Sequence, residues 1–527
     1  MRRLILTIAA ISCLASWIGS PSRSRWAAPA ASRVAADPLS LRDLIPATAL
    51  IAVEVRDVDR RWDEIRSIDF IAGFQDAILS CAGTDADLIH RLAGDRAVLF
   101  LAGSEDPPFV VPVAILRPTD VLDAERILAG LSQLSFRRAG GVLWVGPAGV
   151  ADLLERMSRQ ETARLNEVLP MDEIDGRLPQ DGLARGWLNP VAFMRLLHNS
   201  RVDSLPEPLR LAAATISAEL TAVRYAAFRR DIAEGEILSE GIIAYDPARI
   251  SPRVLHALDP EAVPALFPVE IPANAVAVVA FHPEAQACMP WLRNLAASDP
   301  HGPLRNLAFW LDEFQERFRR DLDRDLFSAL GDHGWLLALD MEGSSAPGLA
   351  AVMEIREESV LASTLRDLMS WVGERFWIST FGTIIPRVWV DTGGGQVIYG
   401  TTLGVPFSEF PGPRFQISGR YLLLGDRPET LAAAREFAGS LPGNASVVWD
   451  EERNSAAHGS IWVKGPAIAK MLAAGIDADA SDAGGCISKA AGAMAAGMES
   501  LRADWQYEPG AVRLHGRLRL AAQPVSR

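Results

Sequence analysis

The stretch LIPATALIAVEVRDVDRRWDEIRS begins at Leu44, and a closely similar one, EIPANAVAVVAFHPEAQACMPWLRN, begins at Glu270. At an offset of 226, five of the nine positions from Ile45 to Val53 match: Ile45, Pro46, Ala47, Ala49 and Val53. Three further likenesses follow in the same order. LIHRLAGDRAVLFLA (88–102) resembles LFSALGDHGWLLAL (326–339), with Gly94-Asp95 falling on Gly331-Asp332. GGVLWVGPAGVADLLERM from Gly140 resembles SGRYLLLGDRPETLAAAREF from Ser418, and ARGWLNPVAFMRLL from Ala184 resembles AHGSIWVKGPAIAKMLA from Ala457. Four landmarks in one order imply an internal duplication, with one repeat over 44–269 and a second over 270–521.

The local chemistry of each landmark fits a sheet with helices. Ala49 to Val55 is apolar and β-branched, a strand, and Asp57 after it is a good helix N-cap ahead of Val58, Trp62 and Ile65. Gly94 and Gly331 sit where a helix ends and a strand begins, a place for the left-handed conformation. Strand, turn and strand follow around GSEDPP and EGSSAPG, then helices over Thr119–Leu134 and Ser359–Val372. Each repeat closes on a hairpin, Thr221–Tyr245 around Glu234-Gly235 and Leu501–Ala521 around Pro509-Gly510. The expected fold is α+β: two tandem repeats of mainly antiparallel sheet with helices packed on one face. A single long helix is expected over Pro303–Leu330, with Leu304, Leu307, Leu311, Phe314, Phe318, Leu322 and Leu326 as its core stripe.

The copies differ in one place. Between the second and third landmarks the offset grows by about 41 residues, so the second copy carries an insertion around 372–413. It contains IPRVWVDTGGGQVIYGTTL, two strands around Gly393-Gly394-Gly395 rimmed by Trp377, Phe381 and Trp389. Unmatched segments on a rigid scaffold are where specificity tends to reside, which makes Trp377 and Trp389 the candidate partner-binding residues. The competing reading is that this hairpin only widens the sheet.

The first 36 residues read as an export signal: Arg2-Arg3, an apolar run from Leu4 to Ile18, then a Pro/Ser/Ala stretch with cleavage expected after Ala30 or Ala36. If uncleaved, this segment is an N-terminal anchor and the only membrane contact. It holds five Arg and no acid, so its removal takes the net charge of the 527-residue chain from −14 to −19. Such a body repels phosphate backbones, which argues against nucleic acid as a partner. Beyond the signal, Cys81, Cys288 and Cys486 are widely scattered and form neither a disulfide framework nor a C-x-x-C motif.

The patterns IPATALIAVEVRD, LGDHGWLLAL and GRYLLLGDRPETLAAA resemble an uncharacterised family of exported bacterial proteins, a domain of unknown function. The resemblance covers most of 44–521 and implies architecture, with no activity and no catalytic residues to carry over.

Candidate chemistries each meet a simpler alternative. Asp477-x-Asp479-x-Ser481 lacks the glycine and terminal glutamate of a calcium loop. Asp321, Asp323 and Asp325 alternate with Arg320 and Arg324, the pattern of a solvated helix face. Ser344-Ser345 lies in a turn without G-x-S-x-G spacing. His282 near Cys288, and Cys81 near His90, are neighbours in sequence only. AAGAMAAGMESL (490–501) reads as a helix with a smooth face. No catalytic residue, metal ligand or cofactor is expected. The sequence points to an exported non-catalytic protein, partner-binding or structural in the cell envelope, periplasmic or extracellular. An exported hydrolase with scattered Asp, Glu and His, or a carrier of an apolar ligand, are the alternatives.

Overall fold

The computed structural model describes residues 40–58, 61, 92–105, 108–131, 134–159, 161, 163–199, 221–233, 236–250, 271–282, 289, 293, 307–341, 347–379, 385–392, 397–405, 408–441, 457–467 and 498–520. The export signal, Cys81, His90, Cys288, Ser344-Ser345, the Gly393–Gly395 turn, Asp477–Ser481 and Cys486 lie outside them.

The first strands are β1 (Ala49–Arg56), β2 (Arg96–Glu105), β3 (Pro108–Arg117), β4 (Leu134–Ala139), β5 (Val142–Pro147), β6 (Ala184–Leu188), β7 (Val223–Ala233) and β8 (Glu236–Tyr245). Then come β9 (Ala275–Phe281), β10 (Leu330–Leu339), β11 (Gly348–Ile355), β12 (Ile385–Asp391), β13 (Ile398–Val405), β14 (Ser408–Ser418), β15 (Tyr421–Gly425), β16 (Gly459–Lys464), β17 (Met498–Glu508) and β18 (Ala511–Leu520). The helices are α1 (Val121–Ala129), α2 (Ala151–Ser158), α3 (Leu165–Val168), α4 (Met171–Arg177), α5 (Pro190–Asn199), α6 (Leu307–Phe318), α7 (Glu358–Ser379) and α8 (Pro428–Ser440). The fold is α+β, and its named strand pairs are antiparallel.

Two compact units divide the chain. The first takes residues 1–250 together with 468–527, and the second takes 251–467. The C-terminal hairpin β17-β18 is grouped with the first unit, while the strand order of the ten-stranded sheet ends on it, as the eight-stranded sheet ends on β7-β8.

In the first unit the strand order is β4-β5-β3-β2-β1-β6-β7-β8. One face buries Val98, Phe100, Ile115, Trp144 and Trp187 under Leu154 and Met157 of α2, Leu165 of α3 and Ile174 of α4. The other face packs Ala97, Leu116, Leu143 and Val145 against Ala124 and Leu128 of α1, and Leu50 against Ala192 and Leu196 of α5. Helices on one face only was the expectation; both faces are covered. The reason is visible in LIAV, AVLFLA and VLWV, which are continuous apolar runs of the kind that two-sided burial produces.

The ten-stranded sheet has the order β12-β13-β14-β15-β11-β10-β9-β16-β17-β18. Val278, Trp335, Leu337, Val352 and Leu423 meet Leu431, Ala434 and Phe437 of α8 on one face. On the other, Leu330, Phe415 and Leu422 meet Leu361 and Leu365 of α7. A row of paired residues crosses each sheet. In the first unit it runs Phe136, Val145, Ala114, Leu99, Val53, Gly186. In the second it runs Phe415, Leu424, Ala351, Leu336, Val279, Ile461.

Several local expectations change. The long helix breaks: α6 ends at Phe318, Arg319 takes φ 52°, and a π-helical turn occupies Asp323–Phe327. The Gln315 carboxamide accepts the Leu322 N–H at 3.1 Å, satisfying backbone that the break exposes. The apolar stripe still faces inward, since Leu311, Phe314 and Leu322 are buried together with Trp371. Gly94 is left-handed, and a Cβ there would lie 2.2 Å from the Arg117 carbonyl oxygen, whereas Gly331 sits inside β10 against the Glu354 side chain. β17 begins at Met498, so the end of AAGAMAAGMESL is strand instead of helix.

Candidate functional site

The inserted segment adds β12 and β13 to the β14 side of the second unit's sheet, which makes β12 an edge strand. Trp389 of β12 pairs with Gly400 of β13, which pairs with Arg414 of β14. A Cβ at residue 400 would stand 2.1 Å from the Trp389 ring, so the indole lies flat across the strand only because Gly400 has no side chain. Two contacts hold it there: Trp389 Nε1 donates to Thr402 Oγ1 at 3.1 Å, and the Arg414 guanidinium carbon sits 5.3 Å from the ring centroid. The indole is half-buried and pre-positioned. On the opposite face Tyr399 stacks on Phe415, ring centroids 4.7 Å apart and planes 14° apart, beneath α7. Val390 and Val397, at the turn end of the hairpin, are exposed by 52% and 42%. Trp377 falls in the last part of α7, the helix that packs against β12; its side chain lies outside the described residues.

A charged centre that sequence reasoning passed over lies in the first unit. Glu54 and Arg185 are cross-strand partners on β1 and β6, 0% and 1% exposed. Glu54 Oε2 accepts from Arg56 Nε at 2.9 Å and Nη2 at 2.5 Å. Asp175 of α4 accepts from Arg185 Nη2 at 2.9 Å and from Arg42 Nη1 at 2.7 Å. Burial by itself would raise the Asp175 pKa, but the hydrogen bonds and charges of Arg42 and Arg185 outweigh it and hold the carboxyl below its usual range. Burial lowers the Arg185 pKa against the opposing pull of Asp175. Glu54 Oε1 and Arg185 Nε and Nη1 have no protein hydrogen-bond partner among the described residues. The sequence signal was an acid in the middle of IAVEVR, two residues from Ala52 and so on the core face by alternation. In the second unit the matching cross-strand pair is Ala280 and Ser460.

Of the flagged residues, His282 and Asp325 have structural partners. His282 Nδ1 donates to the Asp332 carbonyl at 2.5 Å. His333 has its pKa lowered by burial, opposed by the Asp332 charge and reinforced by His282 and Arg420. Asp325 is not solvated as expected: it is 4% exposed, accepts the Asp321 N–H at 2.9 Å and pairs with Arg324 at 2.7 Å. No group of three His, Cys, Asp or Glu is placed to hold a metal among the described residues. No described helix is long and apolar enough to cross a membrane.

No family model matches the chain, and no curated protein does. Among solved structures, crystal form I of TP0453 is similar at 9% identity over 41% of this chain and 82% of its own, with a TM-score of 0.23. A likeness of that size carries no argument about fold or function.

Proposed function

We propose that the chain is an exported, non-catalytic envelope protein built by duplication of one α+β unit, in which the second copy recognises a protein partner through its added hairpin. The observation that carries the recognition is the Trp389 platform. An indole held flat over Gly400 by Thr402 and Arg414 has already lost most of the rotamer freedom that binding would otherwise cost. Tryptophan in that state is the residue type that dominates interface energetics.

Duplication is supported by the strand order. β4-β5-β3-β2-β1-β6 and β14-β15-β11-β10-β9-β16 follow the same path through the two sheets, and β12-β13 stand outside it. At the centre of the two rows the pairs stand at the offsets of the first two sequence landmarks: Val53 with Val279, Leu99 with Leu336 and Ala114 with Ala351. Export rests on Arg2-Arg3 and the run to Ile18, and membership of the exported family rests on the quoted motifs.

The test compares Trp389→Ala and a chain lacking 386–401, bridged by a short glycine-serine turn, with the parent protein. Each tagged protein is used to capture partners from its native envelope, and thermal unfolding is followed in parallel. The proposal expects Trp389→Ala to lose specific partners while the unfolding temperature stays within a few degrees. Unaltered capture by both variants contradicts recognition at the hairpin.

A further inference from the structure

The charged centre of the first unit contains polar atoms that its own side chains leave unsatisfied. Glu54 and Arg185 stand directly opposite each other on β1 and β6, so their side chains leave the sheet on one face with Cβ atoms about 4.5–5.5 Å apart. Each is bonded elsewhere. Arg56 takes Glu54 Oε2, and Asp175 takes Arg185 Nη2. Glu54 Oε1 and Arg185 Nε and Nη1 remain, shut away from solvent on residues 0% and 1% exposed, and they do not bond one another. Arg42, the second arginine on Asp175, has its Nε in the same state. An unmade hydrogen bond on a buried charged group costs that group its full desolvation, so three such atoms on two facing residues call for a partner.

We propose that the first unit encloses a water-binding site between Glu54 and Arg185, in which the water donates to Glu54 Oε1 and accepts from Arg185 Nη1 or Nε. A buried acceptor that faces buried donors without touching them is the situation a single bridging water resolves, because water donates and accepts at once. A small anion is the competing ligand, since the guanidiniums of Arg42, Arg56 and Arg185 outnumber the carboxylates of Glu54 and Asp175. An anion would satisfy the arginine alone and set a second negative charge against Glu54, whose Oε1 would still lack a donor. The site also gives the centre its geometry: the bridge ties Glu54 of β1 to the same arginine that anchors Asp175 of α4, so one water links strand, strand and helix. At the corresponding place in the other sheet the pair is Ala280 and Ser460, and no such site is expected there.

The test counts the long-lived internal waters of the full-length protein by magnetic relaxation dispersion of the solvent. The chain with Glu54→Ala and Arg185→Ser together, which puts the Ala280 and Ser460 pair in this place, is expected to lose at least one of them. Equal counts in the two proteins would overturn the proposal. A second measurement needs no variant: crystals of the parent protein are grown with bromide in place of chloride. Density is expected within about 3 Å of both Glu54 Oε1 and an Arg185 nitrogen, with no anomalous signal. An anomalous peak there would overturn the water in favour of an anion, and the absence of any density would overturn the site itself.

Discussion

Glu54 and Arg185 face each other across β1 and β6 with almost no solvent, and that geometry makes a sharp distinction between removing one of them and removing both. Arg185→Ser takes one of its two arginines from Asp175, which keeps Arg42, and removes the positive charge facing Glu54, which keeps Arg56, and should cost about 1.5–3 kcal/mol. Glu54→Ala combined with Arg185→Ser reproduces the Ala280 and Ser460 pair of the second unit and should cost measurably less than the single change. Denaturant unfolding of the four proteins of this cycle decides it; additive losses contradict the pairing. At the hairpin, Gly400→Ala pushes a methyl group into the Trp389 ring and should destabilise the fold by about 1–3 kcal/mol with a shift in tryptophan fluorescence, and an unperturbed indole would mean the ring is not seated there. His333 gives a pH dependence of definite sign. Its folded pKa lies below the ordinary 6.5, so below pH 6.5 the unfolded chain binds the proton more readily. Its contribution is therefore present above pH 6.5 and is lost as pH falls towards the folded pKa. Unfolding measured from pH 7.5 to 5 should show a smaller acid loss in His333→Gln than in the parent, and equal slopes would remove His333 as a cause.

At the scale of elements, strands and hairpins were the legible part. AVLFLA, VLWVG and the runs flanking Glu234-Gly235 and Pro509-Gly510 state their conformation through β-branched content and turn chemistry, and all became strands. The inserted hairpin was legible for the same reason, but the seating of Trp389 was not, because it depends on Gly400, Thr402 and Arg414 from two neighbouring strands. The break after α6 left no sign either. Arg319 is an ordinary helix former whose left-handed conformation is imposed by the packing of Phe314 and Leu322 on Trp371. A left-handed arginine carries a strain of about 1–2 kcal/mol, part of which glycine gives back in entropy. Arg319→Gly should therefore raise stability by up to about 1 kcal/mol, whereas the same substitution within a continuous helix would lower it by about that much. Thermal unfolding of the single variant separates the two.

For the whole molecule, we propose that a single sheet plan is used twice with shared register at its central strands, once plain and once extended by a recognition hairpin. The order of landmarks was readable because strands buried on both sides carry continuous apolar runs, which the proposed duplication would preserve. The grouping of the C-terminal hairpin with the first unit was hidden, since no local pattern says what an amphipathic hairpin packs against. The most direct test is cysteine trapping in a chain with Cys81, Cys288 and Cys486 changed to serine. Leu99→Cys with Ala114→Cys, and Leu336→Cys with Ala351→Cys, occupy matching rungs and bring Cα atoms to the spacing of adjacent strands, about 4.5–5.5 Å, which a disulfide spans. Both pairs should oxidise readily, while pairs offset by two residues in either unit should not. Trapping of the matched pair in one unit only, or preferential trapping of an offset pair, would contradict a shared register.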